Sequence, residues 1–147
     1  MQFEKYEINA SVSLLLFEFN SVGPKGIIKK QVEFEAFPHN PTVFNIGFGD
    51  VDVSGKINDL VITGNEDSQK VLATVALTVF KFFEKYPSNY VYATGSTKAR
   101  SRLYRMGIAN NLEEILLSFD VFALFENKWE RFVKDKNYDE FLIRLKR

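Results

Sequence analysis

From Val12 to Phe19, apolar residues fall on both parities. Val12, Leu14 and Leu16 face one way and Leu15, Phe17 and Phe19 the other, the pattern of a strand covered on both faces. Gly23-Pro24-Lys25-Gly26 is a turn signal. After it Ile28, Val32, Phe34 and Ala36 share one face, with Lys29, Gln31, Glu33 and Glu35 on the other, which predicts a half-buried antiparallel partner. Phe37-Pro38-His39-Asn40-Pro41 reads as a loop. A third strand follows, with Phe44, Ile46 and Phe48 on one face. Gly47 and Gly49 on its other face predict close backbone approach or a bulge. Residues 50–64 are loop-rich and acidic, with a short apolar strand at Leu60–Ile62.

The period then changes. Val71, Val75, Val79 and Phe83 repeat at near-helical spacing, flanked by Leu72, Ala76, Phe80 and Phe82. With Asn65 as N-cap, Glu66 and Asp67 at the positive end of the dipole and Pro87 as the stop, this predicts a helix over about 66–85 packed on the sheet. Tyr90–Thr94 reads as a strand and Thr97 to about Asn110 as a second helix, with Ala99, Leu103 and Met106 toward the core. Leu112–Phe125 is ambiguous. The alternation of Phe119, Val121, Ala123 and Phe125 favours a strand there, with Trp129–Val133 as its partner. Tyr138–Arg147 fits a last strand or a short helix. The fold class is therefore α+β: a mainly antiparallel sheet from the N-terminal half, a long helix on it, then strand–helix and terminal strands. No linker interrupts residues 1–147, which predicts a single globular domain.

Composition narrows the chemistry. With 46% hydrophobic residues and 15 Phe among 147, the chain has the apolar mass for a real core. Lys and Arg number 19, as do Asp and Glu, so attraction to nucleic acid or anionic lipid must come from local clustering. The absence of Cys excludes disulfides, thiolate catalysis and Cys-ligated zinc, and a single histidine, His39, excludes a multi-His metal centre. The start, MQFEKYEINAS, has acids where a signal peptide carries bases, and Leu14–Phe17 is too short to span a membrane. The expectation is a cytoplasmic protein with no membrane association, metal or other cofactor.

The most informative stretch is Tyr90–Arg105, YVYATGSTKARSRLYR. A strand, then Gly95-Ser96-Thr97, then a helix leaves backbone N–H groups free at the helix start, the geometry that binds phosphate or sulfate. The GxxxxGK spacing of a Walker A loop is absent. Four cations and no carboxylate open this helix, the wrong sign for its dipole. A bound anion at Ser96, Thr97, Lys98, Arg100 and Arg102, with Tyr104 to stack or hydrogen-bond, would compensate. So would salt bridges from Arg100 or Arg102 to Asp50, Asp52, Asp59, Glu66 or Asp67. The same acids lack the Ca-loop pattern and read as loop acids. His39 sits in a Pro-bounded loop beside no recognisable nucleophile motif. The basic C-terminal segment interleaves Lys134, Lys136, Arg144, Lys146 and Arg147 with Trp129, Phe132, Tyr138 and Phe141, as a single-stranded nucleic-acid site would.

Four segments together resemble an uncharacterised family of small bacterial proteins, a domain of unknown function. They are FNSVGPKG at 19–26 with Ile28, Lys30 and Val32; FNIGFGD at 44–50; KVLATV at 70–75; and Gly95-Ser96-Thr97 with Ala99, Arg100, Arg102, Leu103 and Tyr104. The resemblance spans most of the chain and implies a single α+β domain. It supplies no activity, cofactor or catalytic residue. Between Val51 and Gly64 the chain departs from the family pattern by lacking a consecutive acidic pair, which counts against a metal role. The functional expectation is a module that binds a phosphate-bearing ligand, a nucleotide or RNA, at the Gly95–Arg105 turn and helix. The alternatives are a small toxin-type ribonuclease using Tyr104 or His39 for proton transfer, and a non-catalytic interaction protein that dimerises through exposed aromatics.

Overall fold

The computed structural model describes residues 3–58 and 64–147. The expected strand at Leu60–Ile62 and the candidate pairing acid Asp59 lie outside the described residues. Nine strands and three helices run in the order β1 (Asn9–Ala10), β2 (Leu16–Gly23), β3 (Gly26–Phe37), β4 (Asn40–Val51), β5 (Ile57–Asn58), α1 (Ser68–Lys85), β6 (Tyr90–Thr94), α2 (Lys98–Asn110), α3 (Leu112–Ser118), β7 (Phe119–Phe125), β8 (Lys128–Arg131) and β9 (Glu140–Leu145) among the described residues. They form one sheet in the order β1-β2-β3-β4-β6-β9-β7-β8, with β5 on the end of β4. Every pairing is antiparallel except β4 with β6. That parallel pair is joined through α1, the crossover such a pairing requires.

Register puts the alternating apolar residues on one face. Phe17 stands opposite Val32, and Val32 opposite Phe48. Further across, Phe44, Val91, Ile143 and Val121 form a row over four strands. All three helices contribute to the same core, through Val75 and Phe82 of α1, Tyr104 and Ile108 of α2 and Ile115 of α3. Phe82, with no exposed surface, is the hub: its ring lies 4.6 Å from Phe34, 5.1 Å from Phe44 and 4.9 Å from Tyr86. The opposite face of the sheet carries no helix among the described residues.

The structure departs from local periodicity in four places. The first long strand starts at Leu16, because residues 11–15 turn, with Leu14 at φ 58° and Val12 exposed. The stretch read as a loop around Pro38 is a tight hairpin with a register shift at Ala36/Phe37. Helix α1 begins at Ser68 rather than 66. Asn65 is not its cap but a buried clamp: its Oδ1 accepts from Lys25 N at 2.7 Å and its Nδ2 donates to the Gly26 carbonyl at 3.0 Å. Asp67 holds the cap position without capping, since its carboxylate accepts from the hydroxyls of Tyr6 and Ser21. Finally, 112–118 is helical, with Glu113 and Glu114 at its positive end, and only the alternating half, from Phe119, is strand.

Candidate functional site

The expected strand–turn–helix is present. At the end of β6 the Thr94 hydroxyl donates to the Asp139 carbonyl at 2.9 Å. Gly95 N then donates to Ser101 Oγ at 3.1 Å. A Cβ on Gly95 would stand 2.3 Å from Ser101 N, so the chain turns here only because residue 95 is glycine. Thr97, extended at φ −135°, is the N-cap, its hydroxyl oxygen accepting from Arg100 N at 3.2 Å. Helix geometry leaves the N–H groups of Lys98 and Ala99 without intrahelical acceptors, and the first turn contains no acid.

The six anticipated ligand residues divide between surface and interior. Ser96, Thr97, Lys98 and Arg102 are exposed at the helix start. Arg100 is only 4% exposed and carries interactions inside the fold, its guanidinium carbon 6.0 Å from the Phe48 ring. Tyr104 is buried beside it on the next turn. The inward stripe of α2 is thus Arg100, Ser101, Tyr104 and Ile108, whereas Ala99 and Met106, expected toward the core, are exposed and Leu103 is half-buried. A helical projection drawn through apolar residues alone misses this, because two of the four inward residues are Arg and Ser. Arg105 sits half-buried, donating to the Tyr138 carbonyl.

Three of the described acids offered as counter-charges have partners, and Asp50 and Arg100 each carry a further interaction within the fold. Asp50 pairs with buried Lys30 at 2.6 Å. Asp52 closes its own turn, accepting from the Ser54 hydroxyl and from the backbone of Ser54 and Lys56; these bonds hold its carboxyl below the usual range. Asp67 takes Tyr6 and Ser21, and Glu66 is exposed at φ 59°. Among the described residues no cluster of acids or histidine is arranged to hold a metal. Behind α2 an apolar cavity of about 60 Å³ lies between α1, α2 and the sheet, walled by Leu72, Val79, Tyr104, Ile108 and Ile143.

His39 does not join this site. It lies in the β3–β4 hairpin, four residues before Val43, which is level with Tyr90, while Gly95 lies five residues past Tyr90 in the opposite direction. At about 3.3 Å per residue the separation is roughly 30 Å. Three of the four C-terminal aromatics are also withdrawn, since Phe132, Tyr138 and Phe141 are buried. Only Trp129, 46% exposed, remains for a base to stack on.

A second concentration of charge, unread in the sequence, occupies the helix-free face. Asp120 is buried between Arg144 Nε at 3.1 Å and Arg131 Nη1 at 3.2 Å. Burial alone would raise its carboxyl; the two guanidiniums outweigh that and hold it low. Both arginines also lie over the Phe122 ring, and Arg147 lies over Tyr90. Next to them the Tyr92 hydroxyl donates to Glu140, and burial first, Glu140 second, pushes it up to about 12. The signal was the second parity of the strands, Tyr90/Tyr92 and Asp120/Phe122, overlooked in favour of the apolar first.

Among the described residues no helix is long and apolar enough to cross a membrane. The model of a family of unknown function matches residues 2–146, nearly the whole chain, and no curated protein matches it.

Proposed function

We propose, from the premise that the chain belongs to the family of unknown function DUF6934, that the exposed N-terminal turn of α2 binds the phosphate group of a ligand, a nucleotide or RNA. One observation carries this reading. A helix start whose first N–H groups lack intrahelical acceptors stands between two exposed cations, Lys98 and Arg102, with no acid in its first turn. The ligand-facing set is Ser96, Thr97, Lys98 and Arg102, with the N–H groups of Lys98 and Ala99 as backbone donors. Arg100 and Tyr104 act from beneath, fixing the helix against Phe48 and the core.

Thermal-shift and calorimetric titration with inorganic phosphate and a short RNA oligonucleotide tests it. A ligand at a hundred times its Kd stabilises the native state by about 2.7 kcal/mol. Lys98→Glu with Arg102→Glu abolishes that gain without lowering the unliganded Tm, because both side chains are exposed and acids suit a helix start. Arg100→Ala instead lowers the Tm of the unliganded protein, because it removes a buried side chain packed on Phe48. Failure of both probes to bind, or undiminished binding by the double variant, defeats the reading.

A further inference from the structure

β4 and β6 are the one parallel pair among the described strands, and each leads into a helix, β4 through β5 into α1 and β6 into α2. Where strands run parallel and helices return over them, ligands lie outside the carboxyl ends of the strands. Both helices open at that end here. A Cβ on Gly107 of α2 would stand 3.3 Å from Leu72 of α1, and one turn earlier in each helix Leu103 and Ser68 line a common cavity, so the two run the same way. The cavity measures about 290 Å³ and has Phe48, near the end of β4, in its floor.

Among the described residues its walls are apolar, made by Phe48, Val71, Leu72 and Leu103, while Glu66 and Ser68 are exposed at its mouth. Lys30 also lines it, 1% exposed and bonded to Asp50 at 2.6 Å. A buried ion pair adds little stability over apolar residues of the same volume. Stability alone therefore does not account for a charged pair set beneath a cavity. Apolar walls with a few placed polar groups are what a small-molecule site requires, and such sites run upward from about 300 Å³. This one has room for one ring system with its sugar, not for a run of bases.

We infer that this cavity receives the nucleoside of a mononucleotide whose phosphate is held at the start of α2. The inference rests on the phosphate reading above and narrows its ligand from a nucleotide or RNA to a single nucleotide. Leu103 lies one and a half turns into α2 from Lys98, about 7.5 Å along the helix axis, a distance that one ribose spans. The faces of a base suit Val71 and Leu103. Its polar edge suits the Ser68 hydroxyl and the Glu66 carboxylate, which accepts from an amino group.

Calorimetric titration with inorganic phosphate, ribose 5-phosphate and the common nucleoside 5′-monophosphates tests this. At least one nucleotide binds about tenfold or more tighter than ribose 5-phosphate. In NMR spectra it shifts the methyl signals of Val71 and Leu103, which ribose 5-phosphate leaves in place. Leu103→Trp fills the cavity and brings that nucleotide to the affinity of ribose 5-phosphate, with circular dichroism confirming the fold. The ligand series needs no variant and decides the matter if Leu103→Trp does not fold. Nucleotides that bind no tighter than ribose 5-phosphate, while phosphate still binds, overturn the inference and leave the α2 site standing. Failure of phosphate and every nucleotide to bind overturns both. A short RNA that binds tighter than every mononucleotide overturns the inference in favour of a strand.

Discussion

Tyr92 shows how a residue on an open sheet face acquires a role without entering the core. Its hydroxyl is pushed from 10.0 to about 12, by burial first and by the Glu140 carboxylate second. A folded-state value above the unfolded one gives stability that is complete below about pH 10 and is lost as pH rises toward about 12. Tyr92→Phe therefore flattens the decline in stability over that window, measured by denaturant unfolding at a series of pH values. Tyr6, Tyr138 and Lys136, raised in the same direction, contribute to the slope that remains. At this scale the sequence misleads where polarity and burial disagree. Arg100, Ser101 and Lys30 are inside although their side chains mark them as outside. Lys30 shares the even parity of Val32 and Phe34, so its direction was legible. Its burial was not, because the partner that makes it tolerable, Asp50, is twenty residues away.

Elements were more readable than residues wherever a period ran long. The hairpin at Gly23–Gly26, strand β4, the body of α1 and the β6–α2 unit all follow from spacing and turn chemistry. The failures cluster at ends. Asn65 and Asp67 are good capping types, yet in the fold their side chains serve the β2–β3 hairpin and the N-terminal segment. Tertiary partners outcompeted the local role. Thr97 is the opposite case, a residue with capping chemistry that caps. Thr97→Ala is expected to destabilise the protein by about 1 kcal/mol, seen as a lower denaturation midpoint at unchanged slope. If Thr97 also touches the phosphate, the same variant weakens phosphate binding beyond what the loss of stability explains. The short α3 was missed because seven residues offer barely two helical turns of pattern, next to a strand with a clearer one.

On the scale of the whole molecule, every described strand joins one sheet and every helix one core, across a chain matched almost throughout by a single family model. The expectation is one cooperative unfolding transition, with calorimetric and van't Hoff enthalpies equal. Two separated transitions would mean that the halves fold independently. The class of fold was legible, because alternation and helical periods are local. The order of strands was not, because no local pattern says that β9 inserts between β6 and β7. That insertion bears on how the protein is made. Until β9 has docked, β6 and β7 present facing edges that have no neighbour, so two hydrophobic strands wait with open backbone edges. The strand that joins them is the last in chain order, and a chain cut short before residue 140 cannot close its sheet.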